Sequence, residues 1–420
     1  INFGPVLDVN SNPINPIINT RSFGEDPAAV SALATAYIRG ARKVGLMTTG
    51  KHFPGHGDTG TDSHIDLPVI TADREHLNRV DFPPFEAAIK EGIDGIMTAH
   101  IAVLGVLGAD APPATLSPTF MTQILRNELG FRGLLFTDAM TMGGVSKKYG
   151  STEPLIMALN AGADILLMPR GVPEAIETIL TGLREGRVLQ SRLDDAVRLI
   201  LATKAKAGLV DGRLVSLAAV DSIVNIPSHA AIAREVAERS ITLARDSTNL
   251  IPLGPEDRRI LSITYAGSAD VIAGRVFNDE VAAGGKRVRR VSVDARTSEA
   301  EWQSLRAAAD SFDVVLASAY VVPVESAGSV QIKGGFSGFV ESVAKSGKRI
   351  AAISFGSPYL LTSFPSVPAY MLAWGGSPVS QKAAARALLG YSAISGHLPV
   401  SLPPYLKIGD GIMRDKRMQQ

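Results

Sequence analysis

The chain has 420 residues, 45% hydrophobic and 20% charged, a composition that suits a folded globular protein long enough for two domains with their own cores. A net charge of +1 leaves no electrostatic footprint for nucleic acid, and no run of eighteen apolar residues offers a membrane span. The absence of cysteine excludes disulfides, thiol catalysis and thiolate metal sites, and it fits a periplasmic or secreted protein while leaving the cytoplasm open.

The chain opens at Ile1 inside an apolar strand pattern, with no visible signal peptide. We therefore expect residues upstream of it. Residues 2–9 read as a short buried strand ending at Asp8, followed by a polar loop holding Arg21-Ser22-Phe23-Gly24. Asp26-Pro27 is an N-cap with proline at the first helical position, and it predicts a helix over 27–43. A strand over 44–50 then feeds residues 51–66, which hold three of the seven histidines together with Lys51, Asp58, Asp62 and Asp66. Pro54, Gly55 and Gly57 break regular structure there, so this is a loop dense in titratable groups.

Further on, the pattern predicts a helix over 74–91 broken at Pro83-Pro84, a strand over 94–100 and a helix over 118–129. A strand over 133–138 ends on Asp138, a helix over 153–161 and a strand over 163–168 come next, and two helices follow at 173–185 and 191–207. Strands alternate with helices at the period of parallel βα units. Asp8, Lys51-His52, His100 and Asp138 all fall at strand C-terminal ends, the rim on which a (β/α)8 barrel carries its chemistry. Five strands do not close an eight-stranded barrel, so we expect a TIM-like barrel domain over 1–212 that lacks its first units.

Residues 213–233 read as a linker. A helix over 234–246 opens a second alternating region, with strands at 259–264, 288–293, 313–319, 349–355 and 369–373 and helices between them. We expect an open doubly wound α/β sandwich over 234–405, with no dinucleotide or phosphate-binding loop, and a polar tail over 406–420.

Three groups carry chemical possibilities. Asp138 suits a nucleophile or a metal ligand, against a plain N-cap or ion pair. Asp62 and His64, two residues apart, suit a dyad in which the carboxylate fixes the imidazole tautomer, against a surface turn. Lys51 and His52 suit donors to a neutral polar ligand, against an ion pair with Asp8.

These residues also carry a resemblance. Lys51–His64 resembles the KHFPGHG-x-D-S-H signature of glycoside hydrolase family 3 in its β-N-acetylhexosaminidase branch. Pro5–Val9, Arg21–Gly24 and Phe136–Met140 resemble other segments of its barrel. Ala237–Leu253 and Gly396–Pro403 resemble the opening and exit of its C-terminal domain. The resemblance implies Asp138 as nucleophile of a retaining mechanism, with His64 as general acid/base oriented by Asp62. It implies that Arg21, Lys51 and His52 hold sugar hydroxyls, with Asp8 behind them and His56 shaping the loop. It implies no metal or organic cofactor, and a carbohydrate partner: GlcNAc-terminated saccharides or muropeptides from peptidoglycan or chitin. The family's upstream DQEGGRV-like segment has no counterpart here, and its Asp and Arg grip distal hydroxyls.

Three other readings compete with this exo-β-N-acetylglucosaminidase. One is a β-N-acetylglucosaminide phosphorylase of the same family, because a neutral His repels phosphate less than a carboxylate would. Another is a metal-dependent amidohydrolase with His52, His56, Asp58 and Asp138 as ligands. The last is a truncated, non-catalytic sugar-binding relic.

Overall fold

The computed structural model describes residues 1–417. It divides into two compact units: residues 1–215 with 324–329, and residues 216–323 with those from 330 onward.

In the first unit, Asp26 accepts a hydrogen bond from Ala29 N and caps the helix Pro27–Lys43, as its sequence predicts. Val30, Ala34 and Ile38 recur four residues apart and form its buried stripe. The first full strand, β1, spans Thr49–Phe53 and not 44–50. Gly45 turns the chain at φ +73°, and Val44 and Leu46 are exposed, so the apolar run before Thr48 is not a strand. Lys51 and His52 consequently sit within the strand, and the loop starts at Pro54.

The short strand Val69–Ile70 (β2) pairs with Ala102–Val103 (β4). The main row is parallel: β1 pairs with Gly95–Thr98 (β3), which pairs with Leu134–Phe136 (β5). Isolated bridges extend the row, Val6 to Lys51 on one side and Phe136 to Ile165 on the other. The strands expected at 2–9 and 163–168 are thus present only as isolated bridges, Asn2 to Thr48 being a second one in the former. This is the α/β barrel-type arrangement, with Asp8, His52, His100 and Asp138 at its carboxyl rim. Beneath the rim, Phe53 stacks on Phe82 at 5.7 Å and meets Phe85 and Phe120 edge-on. Each such ring contributes roughly 1.5–3 kcal/mol by burial.

The helix over 74–91 does not break at Pro83-Pro84. A π-helical segment, Leu77–Asp81, precedes the helix Phe82–Glu91. The two prolines then fall in the first turn, where their missing N–H groups are not needed. This places Asp81, buried, directly beneath Gly55.

The second unit is a six-stranded sheet in the order β6-β11-β10-β9-β7-β8. Its strands are Thr242–Asp246 (β6), Arg259–Tyr265 (β7), Arg287–Val293 (β8), Val314–Ala319 (β9), Ile350–Ser354 (β10) and Ala369–Leu372 (β11). β7 to β11 are parallel and β6 is antiparallel to β11. Apolar clusters cover both faces, as expected of a doubly wound α/β sandwich. The helix predicted over 234–246 instead spans Pro227–Ser240, beginning inside the expected linker, and 242–246 is strand. Pro227 opens that helix at its first position. The alternating Ile241-Thr242-Leu243 stretch then fits a pleat better than a helical stripe. The expected polar tail is packed over residues 406–417. Ile394 bridges Arg414, and Arg414 pairs with buried Asp246. Residues 418–420 lie outside the described residues.

Candidate active site

The site is built from the carboxyl rim of the first unit. Asp8 is fully buried. Its Oδ1 accepts from the backbone N–H of His52 at 3.0 Å and of His56 at 2.8 Å, and its Oδ2 accepts from His52 Nδ1 at 2.7 Å. Burial alone pushes this carboxyl up, but the His52 ring and the N–H donors outweigh it and hold the pKa at about 2. An ionised carboxylate only accepts, so Nδ1 of His52 carries a proton and Nε2 is left facing Arg21 Nη2 at 3.5 Å. The pairing register of β1 shifts between Lys51 and Phe53, an irregularity of the kind that re-aims side chains beside active sites.

The loop after β1 is pinned from below. His56 is buried, and burial followed by repulsion from His52 lowers its pKa to about 4, so it is neutral at pH 7. Thr59 donates its hydroxyl to the His56 carbonyl, so His56 Nδ1 donates to Thr59 Oγ1 at 2.7 Å, while Nε2 meets Ser63 Oγ at 3.1 Å. Both ring nitrogens are thereby committed to the loop. Asn15, also buried, donates to the carbonyls of His56 and Gly57 and accepts from Ile17 N and Ile18 N. A Cβ on Gly57 would sit 1.6 Å from the Val9 carbonyl oxygen, so glycine is required at this close approach.

Asp138 follows β5, and its Oδ1 accepts from Ala139 N at 2.8 Å. Burial pushes its carboxyl up, yet the His52 and His100 rings and the Ala139 N–H hold it below the usual range. His100 is buried, burial lowers its pKa, and its Nε2 donates to the Ala139 carbonyl at 3.0 Å. Lys51 is held below the usual ammonium range by burial and by Arg21.

His64 is the other half of the site. Its backbone N–H and its Nδ1 both lie 2.9 Å from Asp62 Oδ1. Asp62 is buried, so Nδ1 is pinned and Nε2 alone is free to exchange protons. Nε2 lies 3.6 Å from Glu325 Oε1, in the 324–329 segment that groups with this unit. A cavity of about 250 Å³ is lined by Arg21, Lys51, His52, His64 and Asp138, with Met168 among its apolar walls.

Five of the six residues expected to act on substrate therefore share one cavity, and the sixth, Asp62, stands behind His64. Asp8 stands behind His52 as expected. The metal-ligand set is not brought together. Among the described residues no three His, Asp or Glu side chains converge to hold an ion, both nitrogens of His56 are engaged in the loop, and Asp58 is exposed. Three contributors have no local signature: Asn15, the backbone-holding role of His100, and Glu325.

Residues 1–203 match the glycosyl hydrolase family 3 N-terminal domain, and residues 139–415 match the C-terminal domain of the same family. The chain belongs to glycosyl hydrolase family 3. It is 37% identical over 272 residues to a β-hexosaminidase A of Pseudoalteromonas piscicida, covering 60% of this chain and 45% of that protein. It is 30% identical over 424 residues to a β-N-acetylglucosaminidase/β-glucosidase of Cellulomonas fimi, covering 95% of this chain and 73% of that one. A solved family 3 β-N-acetylglucosaminidase from Paenibacillus sp. str. FPU-7 superposes with a TM-score of 0.85 at 30% identity, over 95% of this chain and 75% of its own. The chain thus spans under half of the first relative and about three quarters of the other two. In this family 3 chain, the cavity holds one carboxylate kept ionised by its surroundings and one imidazole with a single free nitrogen.

Proposed function

We propose that this chain carries the active site of a retaining exo-β-N-acetylglucosaminidase. The observation that carries the reading is His64: Asp62 holds its Nδ1, which leaves Nε2 as the exchangeable nitrogen of a side chain that lines one cavity with Asp138. In the first step Asp138 attacks the anomeric carbon, and His64 Nε2–H protonates the departing oxygen. In the second step neutral His64 takes a proton from the acceptor as the Asp138 ester breaks and the carboxylate is regenerated. Asp62 keeps the ring in one tautomer throughout and stabilises the imidazolium. Arg21 and Lys51 supply donors to hydroxyls of the sugar, His52 Nε2 accepts from one, and the Asp8 carboxylate fixes the orientation of His52. The hexosaminidase and N-acetylglucosaminidase names of the relatives support GlcNAc as the terminal sugar. We take the substrates to be GlcNAc-terminated fragments of peptidoglycan or chitin.

The test is intact mass and peptide mapping after incubation with a fluorinated GlcNAc mechanism-based trap. An adduct on Asp138, absent in Asp138→Asn while GlcNAc binding survives, is the expected result. A folded chain that forms no adduct, or forms it on another residue, overturns the reading.

A further inference from the structure

The retaining mechanism leaves open which acceptor resolves the glycosyl-enzyme, water or phosphate, and the site offers a discriminating group. The chain returns to the first unit for the six residues 324–329 and brings Glu325 Oε1 to 3.6 Å from His64 Nε2. The Glu325 side chain is 75% exposed, against 22% for His64. It is a solvent-facing carboxylate beside the one ring nitrogen able to take the acceptor's proton.

We propose that Glu325 selects a neutral acceptor, so that this site hydrolyses and does not phosphorolyse. The inference rests on the glycosidase reading of Asp138 and His64. An acceptor that hands its proton to Nε2 must lie against that nitrogen, and so within reach of Glu325 as well. Water carries two O–H groups, one for Nε2 and one for the Glu325 carboxylate. Monohydrogen phosphate carries one. With that proton directed to Nε2, its charged oxygens face the carboxylate, and like charges at this range repel even at high effective dielectric. Arg21 and Lys51 line the same cavity and draw anions in, so Glu325 is the group at His64 that opposes phosphate.

Both outcomes balance. With water, its oxygen bonds to the anomeric carbon, the ester bond to Asp138 breaks with its electron pair returning to the carboxylate, and the proton passes to His64 Nε2. With phosphate the same ester breaks and the same proton moves, but the product is the sugar 1-phosphate.

The experiment follows an aryl β-GlcNAc substrate with excess inorganic phosphate and measures the ratio of GlcNAc 1-phosphate to GlcNAc. Wild type, Glu325→Gln and Glu325→Asp are compared. Wild type and Glu325→Asp are expected to give GlcNAc, and Glu325→Gln to raise the sugar-phosphate share about tenfold or more. Because the readout is a ratio, a slower variant still reports it. A ratio unchanged within about twofold in Glu325→Gln, or wild type forming mainly sugar phosphate, overturns the inference while leaving the glycosidase reading intact. A wild-type chain that neither turns over nor forms the Asp138 adduct overturns the glycosidase reading, and this inference falls with it.

Discussion

Replacing Asp8 by Asn changes one atom of a fully buried side chain and inverts the proton logic around His52. The Asn oxygen takes the place of Oδ1 and keeps the bonds from His52 N and His56 N. Its NH2 then opposes His52 Nδ1, which must surrender its proton to Nε2, where Arg21 Nη2 is already a donor at 3.5 Å. The direct loss is one charge-assisted hydrogen bond, roughly 1.5–3 kcal/mol. Linkage gives a second route to the magnitude. The folded pKa of about 2 lies below the reference of 3.8, a depression of about two units and so about 2.5 kcal/mol at neutral pH. For a depressed carboxyl that stability is complete above the unfolded pKa and is lost as pH falls from about 4 through about 2. The deficit of Asp8→Asn should therefore be full at pH 7 and close towards pH 2. Tryptophan fluorescence does not report on it, because both tryptophans, Trp302 and Trp374, lie in the second unit. Hydrogen exchange of amides 49–56, read by mass spectrometry, does. Protection within about 0.5 kcal/mol of wild type at pH 7, or a deficit that persists undiminished in acid, would refute the tautomer argument.

Asp62→Ala should cost substrates with poor leaving groups about tenfold more in kcat/KM than activated aryl glycosides, since only the former need the proton from His64. Equal losses on the two classes would count against His64 as the acid. Asp81→Asn should stabilise the protein at pH 7 by a few kcal/mol. Burial first, then the charges of Asp8 and Asp58, push the buried Asp81 carboxyl up to about 8, so its stability contribution is full below about pH 4 and is lost as pH rises towards 8. Calorimetry should show a higher Tm for the variant and a flatter slope between those limits; a lower Tm at pH 8 would mean that His76, 3.6 Å away, holds the ionised form. Asn15→Ala removes donors to two carbonyls and an acceptor for two N–H groups, and should cost about 2–4 kcal/mol in exchange protection of residues 56–59. Unchanged protection there would show that Gly57 and Thr59 hold the loop without it.

What the sequence made legible was local. Asp138 closes an apolar run, Asp62 and His64 are two residues apart, and the helix 27–43 announces itself by Asp26-Pro27; all three stand where expected. Strand ends were less legible because apolar pattern does not say where pairing begins. Val44–Met47 is apolar, yet pairing begins only at Thr48. The helix at 227–240 begins before the expected 234 because Pro227 has the composition of linker punctuation, although proline also starts helices. Asn15, Asp81 and Glu325 were not legible at all. Each acts on a partner 26 or more residues away, and neither periodicity nor spacing encodes such pairs.

The return of residues 324–329 to the first unit also bears on how this protein is made and altered. A nascent chain has the strand rows, Asp138 and the Asp62–His64 pair once residue 215 has emerged, yet Glu325 arrives only more than a hundred residues later. A boundary drawn at 215 would separate the cavity from the carboxylate beside the His64 Nε2 nitrogen. Recombination that swaps second halves between relatives would then carry acceptor preference with the swapped half, while the sugar contacts stayed behind with the first.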